Sequence, residues 1–130
     1  MKNIEYENLG QLNSVYMDEL KEAIQNVAES GWYILGKEVD SFERNFANLL
    51  SSDYCIGVSN GMDALEMGFN ALDLPENSEV ITSSHSYIAT ILAINNNSLK
   101  PVLAPTCPHT FNIDDSKIEA LINGNTSAIC

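Results

Sequence analysis

Basic residues are scarce in this chain. Six lysines and arginines stand against eighteen carboxylates, for a formal net charge of −12. So acidic a surface repels polyphosphates, which argues against nucleic acid and anionic membranes as partners. Lys2, Lys21, Lys37, Arg44, Lys100 and Lys117 do not cluster. A phosphate ligand would therefore be held mainly by backbone dipoles, or by residues this chain lacks. Otherwise the acidity reads as a solvated surface. Histidine is also scarce, and His85 and His109 have no metal-ligand spacing. Cys55, Cys107 and Cys130 are odd in number and widely spaced. They read as reduced thiols of a cytoplasmic protein, not as a disulfide frame. The longest apolar segment, 87–94, is too short to span a bilayer. The polar, acidic N-terminal stretch shows no secretory signal. Neither the P-loop nor the dinucleotide-binding glycine motif occurs, which disfavours nucleoside triphosphate and dinucleotide sites.

What is present is core-forming material: 45% of the 130 residues are hydrophobic, in periodic runs, enough for one domain with a real core. Tyr16, Leu20, Ile24 and Val27 make one helical stripe. Asn13 is its expected N-cap, Asp18 and Glu19 sit near its start, and Gly31 ends it. Val39, Phe42, Phe46 and Leu49 mark a second helix. Between them, Gly31-Trp32-Tyr33-Ile34-Leu35-Gly36 is apolar but bracketed by glycines, and reads as a structured loop.

From Tyr54 the rhythm changes. Residues 54–58 read as a strand, and 62–72 as a helix with Leu65, Phe69 and Leu72 inward. Strand 79–83, helix 87–94 and strand 101–104 follow. Then come a helix over 116–122 with a Ser116–Glu119 capping box, and a strand from Thr126. Strands alternating with helices imply βαβ crossovers and a parallel sheet, with ligands at the carboxyl ends of the strands. Those ends are Ser59-Asn60-Gly61, Ser83 to Tyr87, and Pro105-Thr106-Cys107. The expected organisation is an N-terminal helical segment with a pocket loop over 1–50, then a βαβ part over 51–130.

Val58-Ser59-Asn60-Gly61-Met62-Asp63-Ala64-Leu65 is the most informative stretch. A glycine between strand and helix lets an anion approach helix N–H groups. The same residues also make an ordinary tight βα turn. Tyr87 could stack on a planar ligand or pack at a helix start. His85 could act as acid–base group or ligand, or be a hydrogen-bonded loop residue. The Trp32-Tyr33 loop could line a pocket or a subunit interface, or cover a core edge.

Asn8-Leu9, the loop from Ser30 to Gly36, Phe42-Glu43, the stretch from Val58 to Leu65, Glu79-Val80-Ile81, Tyr87-Ile88-Ala89-Thr90 and Phe111-Asn112-Ile113-Asp114 stand in series. Together they resemble the N-terminal part of the DegT/StrS family of sugar aminotransferases, over essentially the whole chain. The resemblance implies an α/β fold: N-terminal helices plus part of a mostly parallel sheet with flanking helices. That is the start of the aspartate-aminotransferase (type I) large domain. It implies pyridoxal 5'-phosphate as cofactor, a keto-deoxysugar nucleotide as acceptor, glutamate as amino donor and a homodimer. The form of the Asn60–Leu65 stretch is similar to members acting on 3-keto-6-deoxy sugars.

By the same resemblance Asn60, Gly61 and Met62 bind the cofactor phosphate and Tyr87 stacks on its ring. Trp32, Tyr33, Gly36 and His85 belong to the sugar-nucleotide pocket. The chain departs from the family pattern in having Met62 where a hydroxyl residue is common, and Pro105 and Cys107 where acids are usual. The family's Schiff-base lysine and the acid at its ring nitrogen are expected beyond Cys130, so the chain alone is expected to be inactive. Two further readings stay open. One is a non-catalytic nucleotide-sugar-binding or partner-pairing module from a truncated aminotransferase; the other is a gene remnant.

Overall fold

A computed structural model describes residues 5–130. The chain divides into two compact units, one ending at Gly57 and one beginning at Val58.

The first unit is helical. A short α1 (Leu9–Asn13) and a 3-10 turn (Ser14–Tyr16) lead into α2 (Met17–Ser30), and α3 (Lys37–Leu50) follows the glycine-bounded loop. The cap expected at Asn13 does not form: α2 follows Tyr16 with no side-chain cap, and the side-chain cap of this region is Asn8 ahead of α1, whose Oδ1 accepts from the Gln11 N–H at 2.8 Å. Asn13 ends α1 and makes no side-chain cap. Helical geometry thus starts earlier than the apolar stripe and is interrupted by the tighter turn. Gly31 ends α2 in the left-handed region at φ 65°, as a helix terminator should. Carboxylates fill the first turns of both long helices, Asp18 and Glu19 in α2 and Glu38 and Asp40 in α3, where the helix dipole favours negative charge.

Residues 54–58 form no ladder with any described residue, contrary to the strand expected there. An apolar run becomes a strand only beside a hydrogen-bonding neighbour. Here the Gly57 N–H donates instead to the Glu43 carboxylate at 2.7 Å.

The second unit holds the sheet. In order it comprises α4 (Gly61–Ala71), β1 (Glu79–Ser83), α5 (Ile88–Asn96), β2 (Lys100–Ala104), two 3-10 turns (Asp115–Lys117 and Glu119–Leu121) and β3 (Thr126–Ile129). The sheet order is β2-β1-β3 and both pairings are parallel, as the strand–helix alternation predicts. β1 is central: Val80, Ile81 and Thr82 are all buried, so successive residues on both faces of the strand are covered rather than alternate ones. Phe69 of α4, Val80 of β1, Ala93 and Ile94 of α5 and Leu99 form the core, with Leu65, Leu74 and Ala128 against it. Leu72, expected inward, is 61% exposed because the helix ends at Ala71 and Leu72 is its C-cap.

The helix expected over 116–122 is two 3-10 turns. The capping box does not form: Asp114 Oδ1 accepts from the Ser116 N–H (3.1 Å) and its hydroxyl (2.6 Å), so Ser116 is bound to the preceding acid. No helix among the described residues is long and apolar enough to cross a membrane.

Candidate functional site

All three strands run the same way, so their carboxyl ends share one edge. The C-terminal halves of α4 and α5 lie together. Asn97 Nδ2 donates to the Glu66 carbonyl at 3.2 Å, Asn96 Nδ2 to the Glu66 carboxylate, and Asn70 and Asp73 line one cavity with Asn97 and Ser98. Both helix N-termini, at Gly61 and Ile88, therefore point toward the strand carboxyl edge, where parallel sheets bind ligands.

At Gly61 the turn is organised by side chains. Asn60 is extended (φ −162°, ψ 172°), and its Oδ1 accepts from the Asp63 N–H at 3.0 Å. The Ala64 N–H is taken by the Asn60 carbonyl at 3.2 Å. Of the amides that open α4, this leaves those of Gly61 and Met62 without a partner among the described residues. A Cβ built on Gly61 would meet nothing within 4 Å, so the space above the turn is open. Two N–H groups without a partner among the described residues, an open approach and the positive end of an 11-residue helix are the features that favour an anion.

Ser59 and Asp63 stand in the stretch singled out in the sequence, but with no role of their own. The Asp63 carboxylate accepts from the Ser59 hydroxyl and, at 3.1 Å, from Asn60 Nδ2, which also contacts Ser59 Oγ at 3.2 Å. The signal was the Asn60–Asp63 spacing, the same three-residue step as a capping box.

Tyr87 caps α5 with extended backbone (φ −69°, ψ 143°) and a ring that is 79% exposed. His85 packs on Phe111 at a centroid distance of 5.9 Å and an interplanar angle of 59°. That contact joins the loop after β2 to the turn after β1. The loop after β2 is a small closed structure: Thr106 bridges Ile113 antiparallel, and the Cys107 N–H donates to the Asn112 carbonyl at 2.9 Å. The partly buried Cys107 thiol is held below its ordinary pKa, chiefly by the His109 N–H and then by the Thr110 hydroxyl and N–H, against desolvation and the Asp114 carboxylate.

Trp32, Tyr33 and Gly36 lie together in the first unit. Trp32 Nε1 donates to the Ile34 carbonyl at 2.8 Å and the Tyr33 hydroxyl to the Ala28 carbonyl at 3.1 Å. Their polar atoms hold the loop while their rings stay exposed. Gly36 is buried, and a Cβ there would sit 2.9 Å from the Trp32 carbonyl oxygen. Gly36→Ala is therefore expected to cost about 1–3 kcal/mol by overpacking. It should also change the emission of Trp32, the sole tryptophan. Unchanged fluorescence and unfolding midpoint would refute that.

Residues 15–130 match the DegT/DnrJ/EryC1/StrS aminotransferase family. The chain belongs to that family. It is 49% identical over 126 residues to dTDP-3-amino-3,6-dideoxy-alpha-D-galactopyranose transaminase of Aneurinibacillus thermoaerophilus, covering 97% of this chain and 35% of that protein. It is 36% identical over 126 residues to UDP-2-acetamido-2-deoxy-3-oxo-D-glucuronate aminotransferase of Pseudomonas aeruginosa, with the same coverage. Among solved structures, S. venezuelae DesV superposes with a TM-score of 0.91 at 32% identity, over 99% of this chain and 35% of that one. NtdA of Bacillus subtilis, solved with bound cofactor PMP, superposes with a TM-score of 0.89 at 28% identity, over 99% of this chain and 30% of that one. The chain thus spans about a third of the length of the family members it matches. The α/β architecture with a parallel sheet is that of the family's solved aminotransferases.

Proposed function

We propose that this chain supplies the cofactor-phosphate turn of a pyridoxal-phosphate transaminase. The enzyme moves an amino group from glutamate to a keto-deoxysugar nucleotide and works as a homodimer. The observation that carries this reading is the pair of uncommitted amides at Gly61 and Met62 under open space. Membership of an aminotransferase family, and relatives named as dTDP- and UDP-sugar transaminases, support the substrate class.

In this reading the Gly61 and Met62 N–H groups donate to the phosphate oxygens. The dipole of α4 supplies the positive potential that the scarce lysines do not. Tyr87 offers its exposed ring as a stacking face for the planar part of the cofactor. His85, steadied by Phe111, and the Trp32-Tyr33 loop with Gly36 serve the sugar nucleotide. When bound, pyridoxal phosphate supplies the electron sink through which the amino group moves. Lys100 opens β2 at its amino end, about 13 Å of strand away from the carboxyl edge, so it does not hold the cofactor aldehyde. That role would fall to a lysine of the whole protein outside this chain.

The test is glutamate-dependent amination of a dTDP-3-keto-6-deoxyhexose by the whole protein, followed as 2-oxoglutarate release. The 130-residue chain alone should give no turnover. A whole protein that binds pyridoxal phosphate but aminates no keto sugar nucleotide would overturn the assignment of substrate. Turnover by the isolated chain would overturn its assigned share of the chemistry.

A further inference from the structure

The phosphate reading needs two particular amides to be free, and three side chains decide which amides those are. Resting on that reading, we propose that Asp63 is the positioning residue of the turn. Its carboxylate anchors Asn60 Nδ2, which sets the Asn60 amide so that Oδ1 covers the third amide of α4 and leaves the first two for the anion.

The geometry is specific. Both donors, the Ser59 hydroxyl and Asn60 Nδ2, converge on the same carboxylate oxygen, Oδ2 of Asp63. Asn60 Oδ1 in turn accepts from the Asp63 N–H at 3.0 Å. The two residues hold each other by side chain and backbone together. A primary amide has one nitrogen face and one oxygen face, so fixing Nδ2 fixes Oδ1 as well. Without an acceptor at position 63, Asn60 keeps only Ser59 Oγ, at 3.2 Å, on its nitrogen side. Its Oδ1 then no longer covers the third amide reliably.

Asp63 is an odd choice for a phosphate turn on charge alone. A carboxylate in the first turn neutralises part of the potential that attracts a dianion. A carboxylate at this point is accounted for if what the turn needs is an acceptor of two hydrogen bonds. An asparagine can place its single amide oxygen where Oδ2 lies and accept both, without the charge. An alanine can accept neither.

The experiment titrates the apo form of the whole protein with pyridoxal phosphate and with pyridoxal, which lacks the phosphate. The ratio of the two affinities reads the phosphate cradle alone. Asp63→Ala is expected to lower that ratio about tenfold with pyridoxal affinity unchanged. Asp63→Asn is expected to restore it to within about threefold of the parent or above it. Equal losses in Asp63→Ala and Asp63→Asn would show that accepting these two hydrogen bonds is not what position 63 supplies, and would overturn the proposal. So would a parallel fall in both affinities for Asp63→Ala, the sign of general collapse. Gly61→Pro, which deletes one of the two amides, separates the two ideas. If it abolishes the preference for pyridoxal phosphate while Asp63→Ala leaves it intact, the cradle stands and the role of Asp63 falls. If Gly61→Pro leaves the preference intact, both fall.

Discussion

Gly61→Pro is expected to weaken binding of pyridoxal phosphate by about ten- to a hundredfold while leaving the fold in place. Gly61 is the first residue of α4. Its N–H has no partner among the described residues, so the helix loses no bond when proline removes it. Proline's fixed φ suits that position. Asn60 before it is already extended, the conformation that a following proline imposes. Nothing lies within 4 Å of where the ring's Cβ would stand. The unfolding midpoint should therefore change by no more than about 1 kcal/mol in either direction. What is lost is one charge-assisted hydrogen bond to a phosphate oxygen, worth about 1.5–3 kcal/mol. The ring also fills the space through which that oxygen approaches. Apoprotein titration followed by cofactor absorbance reads the first effect and thermal unfolding the second. Parent-like affinity in a well-folded Gly61→Pro protein would remove the Gly61 amide from the site.

That turn was visible in the sequence because its determinants are local. Asn60 and Gly61 are neighbours, and the apolar residues of α4 follow at once. β1 was visible for a different reason: the β-branched Val80-Ile81-Thr82 run, bounded by polar residues, has the composition of a short strand covered on both faces. The places where sequence and structure part are those decided by partners distant in the chain or by competition between neighbouring polar groups. Residues 54–58 have the composition of a strand, but a ladder needs a second backbone, and Glu43, fourteen residues earlier, takes the Gly57 N–H instead. Ser116 and Glu119 have the spacing of a capping box, but Asp114 reaches the Ser116 N–H from the other side. The apolar stripes on α2 and α3 were read correctly as periodic, yet Ile24 is 68% and Phe42 56% exposed, because periodicity marks a face and does not supply its cover.

The geometry of the candidate site was legible to the same degree and for the same reason. Asn60, Gly61 and Met62 declare themselves by position along the chain. The Ser59–Asp63 bond that braces them required knowing how the turn closes. His85 drew notice as a histidine at a strand end, but its neighbour Phe111 comes from the loop after the next strand, at a left-handed φ of 59° that no residue-type rule assigns to a phenylalanine.

Ile94→Ala is the substitution expected to cost most in stability. Ile94 is fully buried at the last full turn of α5 and belongs to the cluster of Phe69, Val80, Ala93 and Leu99. Buried residues of the core are few, so each carries a large share of it. Removing the branched side chain forfeits its transfer free energy and leaves a cavity that the flanking β1 and α4 close only in part, for a loss of about 2–5 kcal/mol. Ile94→Val, which deletes a single methyl group, should cost about 0.5–1.5 kcal/mol. Ile122 offers the contrast: it follows the second 3-10 turn and is 53% exposed, so Ile122→Ala should stay within about 0.5 kcal/mol of the parent. Urea unfolding read by circular dichroism checks all three on one scale. The decisive quantity is the order, Ala well below Val at position 94 and no change at 122. Equal midpoints for Ile94→Ala and Ile122→Ala would mean that the α4–β1–α5 cluster is not what holds the second unit together.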